Sequence, residues 1–516
     1  MSSSRDNRDE SAWQRLSAAL RVAGMGLVVL LIGSAFHLLM QEPVLGAADN
    51  LDFERVMRPA GIQHTQDVTS FHHQYVVTKF KLVPSDLLHR TSSAVMPAWL
   101  ARQLRLLFGA EPGHMDIRQV GLVYLLVLTA LLLRALRLGV PPLLCALATW
   151  VIVDPGYCLY FNSFFADAAF LVGAFGVYLW LIRWGGFEGR DVPWLRKGWT
   201  LTALFVLLLL AGGSKQLYIY LPAVVALPLL VIAWVPGSST WRIRLTASAI
   251  LIAAALLPAA HFSIGSGPRF HWFNGYNRVF MGILMATSRT DETLHKLGLR
   301  DEFLPLRGTH AWSGDWRELE RGDVKKLKRR IRNISTTKVA TLYLLDPSAV
   351  AFVIQKVKEP LALKVPTDCS FEASDPRKSR RYKSWWQFSN VRARIVRAAW
   401  PAIAIGLAVA LAAMAYDITR RRRASGIQIA IAVLILAFGA HLAATVVGDG
   451  FFALPRHLMG ARLYLDLLLV TASYWGASAL AARFREKGLF LGIRGLRAGS
   501  ESSSKANARE PDGGDE

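Results

Sequence analysis

Acidic side chains lie where the first long apolar segment of the chain ends. Asp49, Asp52 and Glu54 fall within six positions, and Arg55 follows directly. We expect Glu54 and Arg55 to contact substrate. A carboxylate at such a boundary can act as a general base or hold a divalent cation. A solvated turn accounts for the same residues, and both interpretations stay open at this point.

A second polar group follows the third apolar segment, in the stretch DPGYCLYFNSFFADAAF. Tyr and Asn are common at membrane interfaces, so each residue alone indicates no more than an interface. Their convergence on one connection predicts contacts with a substrate, for which we single out Tyr160, Asn162 and Asp167.

Cationic side chains occur in two later connections. Lys215 lies in GGSKQLY, where it could meet a lipid phosphate, although snorkelling explains a lone Lys equally well. Arg456 and His457 are adjacent in VVGDGFFALPRHL, which also contains Asp449. Arg beside His can bind a phosphate or pyrophosphate and protonate a leaving group. We therefore expect all four side chains to contact substrate.

Other patterns narrow the chemistry. No GxxxxGK[ST] loop and no GxGxxG after a strand is present, so nothing indicates nucleotide binding. The three cysteines, Cys145, Cys158 and Cys369, form no CxxC or zinc spacing. No metal ligand set is assigned, although two nearby acids leave a divalent cation open. Arg462 and Asp466 are four residues apart, which predicts a structural ion pair on one helical face.

The elements that must position these residues are membrane spans. Hydrophobic residues make up 53% of the 516 positions, yet 19% are charged, so apolar blocks must alternate with polar loops. Counted against about 20 residues per span, the blocks predict an all-α, multi-spanning bundle of about ten transmembrane helices. The first, from about residue 23, is expected to be uncleaved. The others begin near Val120, Val140, Ala166, Thr200, Leu217, Thr246, Pro401, Ile427 and Arg462.

The short basic connections all fall on one side of such a bundle. If the N-terminus is cytoplasmic, the inner side carries Arg134 and Arg137, Arg183 to Lys197, Arg242 and Arg244, and Arg420 to Arg423. The positive-inside rule then predicts a multi-pass plasma-membrane protein with both termini cytoplasmic. Basic connections on the cytoplasmic side of a lipid bilayer account for the net charge of +23. We therefore expect the bilayer, and no nucleic acid, as a partner.

The expected domain organisation follows. Residues 1–22 form a cytoplasmic segment, 23–482 the transmembrane domain, and 483–516 a cytoplasmic, largely disordered tail. Two long loops, 41–119 and 263–397, are extracytoplasmic. Within the second, the apolar run 338–363 contains Asp346 and Pro347, which predict two shorter pieces instead of one span. Trp385 and Trp386, followed by Arg392, indicate an interfacial helix before the eighth span.

With this topology, five stretches resemble the glycosyltransferases of the GT-C fold, which use polyprenyl-phosphate-linked sugars. They are LDFERVMRPAG, YFNSFFAD, SKQLY, NGYNRVFMGIL and GDGFFALPRHL, in that order between residues 20 and 480. The chain looks most like bacterial surface-glycan hexose transferases. The resemblance implies a first-loop acidic base, which maps to Asp52 or, as second choice, Asp49. Two departures are the spread DNLD cluster and Asp167, where relatives carry Glu.

The expected function is therefore transfer of a sugar, a hexose by resemblance, from a polyprenyl-phosphate donor to an extracytoplasmic glycan or lipid-linked acceptor. The active site would lie outside the cytoplasm. A transporter or flippase of lipid-linked glycans is the alternative from another class, and a glycan polymerase or ligase also stays open. Transporters usually carry ionisable groups at midplane and inverted repeats. The predicted spans have few central charges, which favours the enzyme.

Overall fold

The computed structural model describes residues 3–65, 74–87, 92–108, 113–188, 191–234, 240–265, 268–364 and 387–486. Cys369, Trp385, Trp386 and the predicted disordered tail from 487 lie outside these ranges. The first helices are α1 (Ser3–Met40), α2 (Glu54–Ala60), α3 (Val95–Phe108), α4 (Arg118–Arg137), α5 (Pro142–Ile152), α6 (Pro155–Cys158), α7 (Ala166–Trp184), α8 (Gly198–Gly212), α9 (Tyr220–Ala233) and α10 (Trp241–Gly265).

The second half of the chain is also helical. Its helices are α11 (Pro268–Arg278), α12 (Leu284–Ala286), α13 (Thr290–Lys296), α14 (Arg321–Asn333), α15 (Thr336–Leu345), α16 (Pro347–Leu361), α17 (Gln387–Arg421), α18 (Gly426–Asp449), α19 (Leu454–His457) and α20 (Met459–Glu486). The described strands are short. They form an antiparallel sheet of β1 (Ile62–His64), β2 (Lys79–Leu82) and β3 (His114–Asp116), and a pair of β4 (Phe187–Glu188) and β5 (Arg423–Ala424).

Eight helices in the described ranges are long and apolar enough to cross a membrane, judged by length and composition alone. They are Ala18–Met40, Arg118–Arg137, Ala166–Trp184, Gln216–Ala233, Trp241–Phe262, Phe388–Arg421, Gly426–Asp449 and Met459–Arg483. Two bent pairs would raise the number to ten. The prediction of an all-α, multi-spanning membrane protein is confirmed.

The two bent pairs differ in how they relate to the predicted spans. The predicted third span is the pair Pro142–Ile152 and Pro155–Phe161, bent by 59°. The predicted fifth is α8, which at 15 residues is shorter than the other spans. The second pair is α15 and α16, bent by 99°. Its break at Asp346 and Pro347 confirms the prediction of two pieces.

Local chemistry explains that break. Pro347 occupies the first turn of α16, where its missing N–H leaves no helical hydrogen bond unmade. The Asp346 carboxylate accepts from the N–H groups of Ser348 and Ala349 at the N-terminus of α16. The interfacial helix predicted before the eighth span corresponds to the first part of α17, which departs from helical geometry at Ala399, shortly before Pro401. Its position at the membrane interface stays a prediction.

Helix α7 is the centre of the bundle. Of its span, 89% is buried, against 11% for the span in α17. A Cβ on Gly173 would lie 2.8 Å from the backbone N of Ala211 in α8, so these helices approach closely only with glycine there. At about 1.5 Å per residue, the 19 residues of α7 separate its two ends by about 28 Å.

The C-terminal end of α7 gathers short basic connections. Strand β4, just after α7, pairs with β5, which follows α17. The guanidinium of Arg134, at the end of α4, lies 4.6 Å from the Trp199 ring centroid, and Lys197 lies over Trp184. We call this the basic end. The predicted grouping of these connections on one side agrees with this arrangement, whereas their exposure to the cytoplasm stays a prediction.

Candidate functional site

The opposite end of the bundle, where α7 begins, brings together side chains from four distant parts of the sequence. They come from the segment after α1, the start of α7, the turn between α8 and α9, and the connection from α18 to α20. We call this end the site end. Its central residues are Asp52, Asp167, Lys215, Asp449, Arg456 and His457.

Asp49 and Asp52 lie in one turn but have different neighbours. Asp49 is buried, and its Oδ1 accepts from the backbone N–H groups of Leu51 at 2.7 Å and Phe53 at 3.3 Å. Its Oδ2 lies 2.9 Å from Nε2 of His64. These contacts shape the turn and hold it against β1, so Asp49 positions the segment in which Asp52 stands.

Asp52 contacts cations directly. Its Oδ2 accepts from the guanidinium of Arg456, and its Oδ1 lies 3.2 Å from Nη2 of Arg55. The Asp52 side chain is 20% exposed and Arg456 13% exposed. Burial raises the pKa of Asp52, but the charges of Arg456, Lys215 and Arg55 outweigh it and hold that pKa well below its usual range. Asp52 is therefore ionised at neutral pH.

Lys215 joins the same group from the turn after α8. Its Nζ lies 3.7 Å from Oδ2 of Asp167, which is buried at the start of α7. The other Asp167 oxygen accepts from the hydroxyl of Tyr218. Burial lowers the pKa of Lys215, while Asp167 and Asp52 act in the opposite sense. Asp167 thus favours the ammonium form of the partly buried Lys215, close to Arg456 and Asp52.

Asp449 and His457 complete the group. Oδ1 of Asp449 accepts from Nδ2 of Asn277 at 2.8 Å, and Oδ2 lies 3.5 Å from Nδ1 of His457. Burial, with the neighbouring charges of Lys215 and Arg456, holds the pKa of His457 well below its usual range. His457 is therefore neutral at pH 7 in this arrangement.

Glycine lets α18 meet the segment of Asn277. Gly450, directly after Asp449, has φ 63° and ψ −141°, a combination adopted almost only by glycine. A Cβ there would lie 2.6 Å from the carbonyl oxygen of Asn277. The N–H of Phe451 donates to the carbonyl of Met281 at 3.1 Å, within the π-helical turn Val279–Ile283.

Three residues that the motifs did not single out support the site. Nε2 of His441 lies 2.6 Å from the carbonyl oxygen of His457, which can only accept, so Nε2 carries the proton. The hydroxyl of Tyr220 then donates to Nδ1 of His441 at 2.6 Å. Asn277 lies within the quoted stretch NGYNRVFMGIL, but its role depends on contact with a residue 172 positions away.

Other predicted substrate-binding residues lie differently. Asn162 is fully buried, and its Nδ2 donates to the carbonyls of Leu39 and Leu45, each at 2.8 Å. It therefore holds the chain where α1 ends. Tyr160 is also fully buried, its ring 5.8 Å from that of Phe165, while Glu54 is exposed in the first turn of α2. Substrate contact by these three residues stays a prediction.

The predicted ion pair of Arg462 with Asp466 is wrong. Asp466 pairs with Arg392 of α17 and also accepts from the Tyr157 hydroxyl at 2.6 Å. Arg462 instead donates to the carbonyl of Pro455 at 3.1 Å. Four-residue spacing places two side chains on one face, but the approach of α17 gives Asp466 a better partner.

The described residues contain no group of three or more His, Cys, Asp or Glu side chains that could hold a metal ion. Asp49 is committed to its turn and His64, and Asp52 to two guanidinium groups. A metal-binding role is therefore not assigned to either carboxylate.

The fold and the site together define a multi-pass, all-α membrane protein with an ionised carboxylate and partly buried basic side chains at one end of its bundle. A family model described as the YfdI N-terminal transmembrane domain matches residues 10–490, and the chain belongs to this YfdI family. No curated protein matches the sequence of the chain.

Proposed function

We propose that this protein is a membrane glycosyltransferase of the GT-C type. It moves a sugar, a hexose by resemblance, from a polyprenyl-phosphate donor to a glycan or lipid-linked acceptor on the extracytoplasmic face. The observation that carries the proposal is the direct contact of the Asp52 carboxylate with Arg456, beside the partly buried Lys215. Membership of the YfdI transmembrane family supports it.

Each group has a chemical role in this proposal. Lys215 and Arg456 bind the donor phosphate, and the N–H of neutral His457 can donate to it. The acceptor hydroxyl oxygen forms a bond to the anomeric carbon as the bond from that carbon to the phosphate oxygen breaks. The phosphate leaves with the electron pair, and the hydroxyl proton goes to Asp52. Because phosphate is a good leaving group, one carboxylate suffices, unlike glycoside hydrolysis.

The ion pair of Asp52 and Arg456 gives the reaction an order. A carboxylate paired with a guanidinium is a weak base, because proton uptake would break the pair. A donor phosphate competes for Arg456, and its negative charge raises the proton affinity of Asp52. The donor therefore binds first and turns Asp52 into a better base for the acceptor.

An apolar groove fits the lipid part of such a donor. It has a volume of about 450 Å³ between α16, α17 and α18, with Val357, Trp400 and Gly439 in its lining. Another lining residue, Leu442, lies seven positions before Asp449 on α18, about 10 Å along the helix. In the proposal, a prenyl chain occupies this groove while its phosphate reaches the cations.

The test is consumption of donor by purified protein in detergent, where a flippase could move but not consume it. A panel of polyprenyl-phosphate sugars is compared for the unmodified protein, Arg456→Ala and Arg420→Ala, the last at the basic end. Losing a partly buried cation that pairs with phosphate costs ~2 kcal/mol or more, so Arg456→Ala should bind donor at least about 30-fold more weakly.

Arg420 is exposed, and its replacement should leave donor affinity unchanged. Consumption of none of the panel sugars by the unmodified protein would contradict the proposed reaction. Equal donor affinities for the two variants would contradict the role of Arg456.

A further inference from the structure

Helix α14 carries a strong positive charge that the proposed reaction does not use. Its sequence, RGDVKKLKRRIRN, contains seven Lys or Arg residues and one Asp, a net charge of +6 over 13 residues. Like charges stand four residues apart at Lys325 and Arg329, and again at Lys326 and Arg330. Each such pair destabilises a helix by about 0.2–0.5 kcal/mol.

This charge is not neutralised within the described part of the protein. Asp323, the acid of α14, already lies 2.9 Å from Lys326 and 3.6 Å from Arg300. Exposed Lys325, Arg329, Arg330 and Arg332 form no ion pair with any described residue. A polyanion bound along this face would relieve the repulsion that the helix now carries.

The apolar side of α14 is already covered by protein. Leu327 and Ile331 are buried, and Ile331 packs against Gly275 of α11. The ammonium of Lys328 lies 4.7 Å from the Trp316 ring centroid. A helix that binds in a membrane surface needs a free apolar face to insert. Helix α14 has none, so it offers charge to a ligand in water.

Its position is beside the candidate active site. Arg278, at the end of α11, donates to the hydroxyl of Thr336, three residues after α14. The preceding residue, Asn277, donates to Asp449 at the site end. Helix α11 thus contacts α14 through Gly275 and Ile331 and reaches the site end through Asn277.

We propose that α14 binds a polyanionic glycan, with carboxylate, phosphate or sulfate groups along it, and that this glycan is the acceptor. Its role as acceptor rests on the proposed function, whereas its binding to α14 does not. The four exposed cations bind the repeated anionic groups and hold the chain so that one of its hydroxyl groups reaches Asp52.

The test uses the full-length protein in neutral-lipid nanodiscs and fluorescein-labelled polygalacturonate, with labelled neutral dextran of similar length as comparison. Fluorescence anisotropy at 50 and 200 mM salt measures affinity without any donor. The unmodified protein should bind polygalacturonate but not dextran, and binding should weaken steeply with salt because counterions are released. Binding that is insensitive to salt overturns the proposal even if no variant can be purified.

A variant with Lys325→Gln, Arg329→Gln, Arg330→Gln and Arg332→Gln should lose at least about tenfold in affinity, because four cationic contacts disappear. The matched control replaces Arg420, Arg421, Arg422 and Arg423 by Gln, which removes the same charge at the basic end. It should stay within about twofold of the unmodified protein, since these side chains lie far from α14. Thermal unfolding of both variants checks that they remain folded.

Equal losses in the two variants would overturn the proposal in favour of a general effect of net charge. Capture by phosphatidylglycerol vesicles that depends on α14, without binding of polygalacturonate, would overturn it in favour of a membrane contact. Because no donor is present, a failed donor-consumption assay leaves this result standing, and the converse also holds.

Discussion

At the scale of single residues, the chemistry of the site depends on which carboxylate contacts the cations. Asp49 and Asp52 are three positions apart, and the sequence offers both as bases. The Asp49 carboxylate accepts hydrogen bonds from the N–H groups of Leu51 and Phe53, and its other oxygen contacts His64. Asp52 meets Arg456 instead. The same chemical group therefore shapes the turn in one position and is available for proton transfer in the other.

Replacing Asp52 by Asn tests this assignment. The amide keeps the size of the side chain but cannot accept a proton, so turnover should fall by roughly 100-fold or more. Protein level and donor binding should be retained, as measured by purification yield and a donor-binding titration. In Asp49→Asn the amide oxygen can still accept from both N–H groups, so turnover should fall by less than about tenfold. Near-normal turnover of Asp52→Asn would remove it from the mechanism.

The pH dependence of the reaction should report the same ion pair. The pKa of Asp52 lies below its usual range because Arg456, Lys215 and Arg55 outweigh burial. The base form of the free enzyme thus persists as pH falls, and kcat/KM, which reports the free enzyme, should be lost only below the usual carboxyl range. Arg456→Gln removes the largest opposing charge while burial remains, so the acid limb of the kcat/KM profile should move to higher pH.

Arg55→Gln provides the comparison for that profile. Arg55 is exposed and contributes less to the ionisation of Asp52, so the acid limb should move in the same direction but by less. An acid limb that stays in place in both variants would show that another group controls it.

At the scale of elements, the site depends on where helices end. Helix α18 ends at Asp449 because Gly450 leaves helical geometry, and α7 begins at Ala166 with Asp167 in its first turn. Between α8 and α9, Lys215 has an extended backbone, which turns its side chain towards Asp167. Three helix termini thus meet in one region, as the polar groups of helix ends require partners.

The groove between α16, α17 and α18 leads to a prediction for one of these elements. Gly439 lines the groove, and a Cβ at this position would meet no atom within 4 Å. Gly439→Leu should therefore fold normally but occupy groove volume. Affinity for a donor with a long prenyl chain should fall by about tenfold, the cost of excluding a few methylene groups. Affinity for a short-chain, water-soluble donor should be unchanged.

Gly406→Leu is the matched control, because a Cβ on Gly406 of α17 also meets nothing within 4 Å and Gly406 is absent from the groove lining. Donor titrations with both chain lengths compare the variants. If Gly439→Leu weakened both donors equally, the groove would have no specific role in binding the lipid.

At the scale of the whole molecule, the basic end and the site end lie at opposite ends of α7, about 28 Å apart. The connections of Arg183 and Arg423 meet through β4 and β5 at the basic end. Positive charge near short loops is retained in the cytoplasm, so the site end should face outward.

Labelling of single cysteines in intact cells tests that orientation. Ser313→Cys lies in the exposed part of the loop between α10 and α17, and Ser500→Cys lies in the predicted cytoplasmic tail. A membrane-impermeant thiol reagent should label the first and label the second only after permeabilisation. Cys369, which the same topology places outside, is replaced by Ser in every variant, and a variant without either new cysteine serves as background. Labelling of both sites in intact cells would contradict the topology and the extracytoplasmic active site with it.

Much of the fold could be predicted because its causes are local. The thickness of the hydrocarbon core sets the length of a spanning helix, so apolar blocks locate eight of the predicted spans directly. Pro347 cannot continue a helix, and Asp346 caps the next one, so the break between α15 and α16 is visible in the residues themselves. The grouping of basic connections also follows from their order, because alternate connections between spans lie on the same side of the bundle.

The sequence by itself therefore determined the class of protein, most of its spans and the short list of polar stretches that could do chemistry. Only the tertiary structure decided that Arg456 meets Asp52, 404 positions earlier, and that Asp466 pairs with Arg392 instead of Arg462. Helical periodicity states which side chains share a face, but not which neighbouring helix will cover that face. The packing of helices determines the ion-pair partner, because a buried charge is stable only where another element supplies its counter-charge.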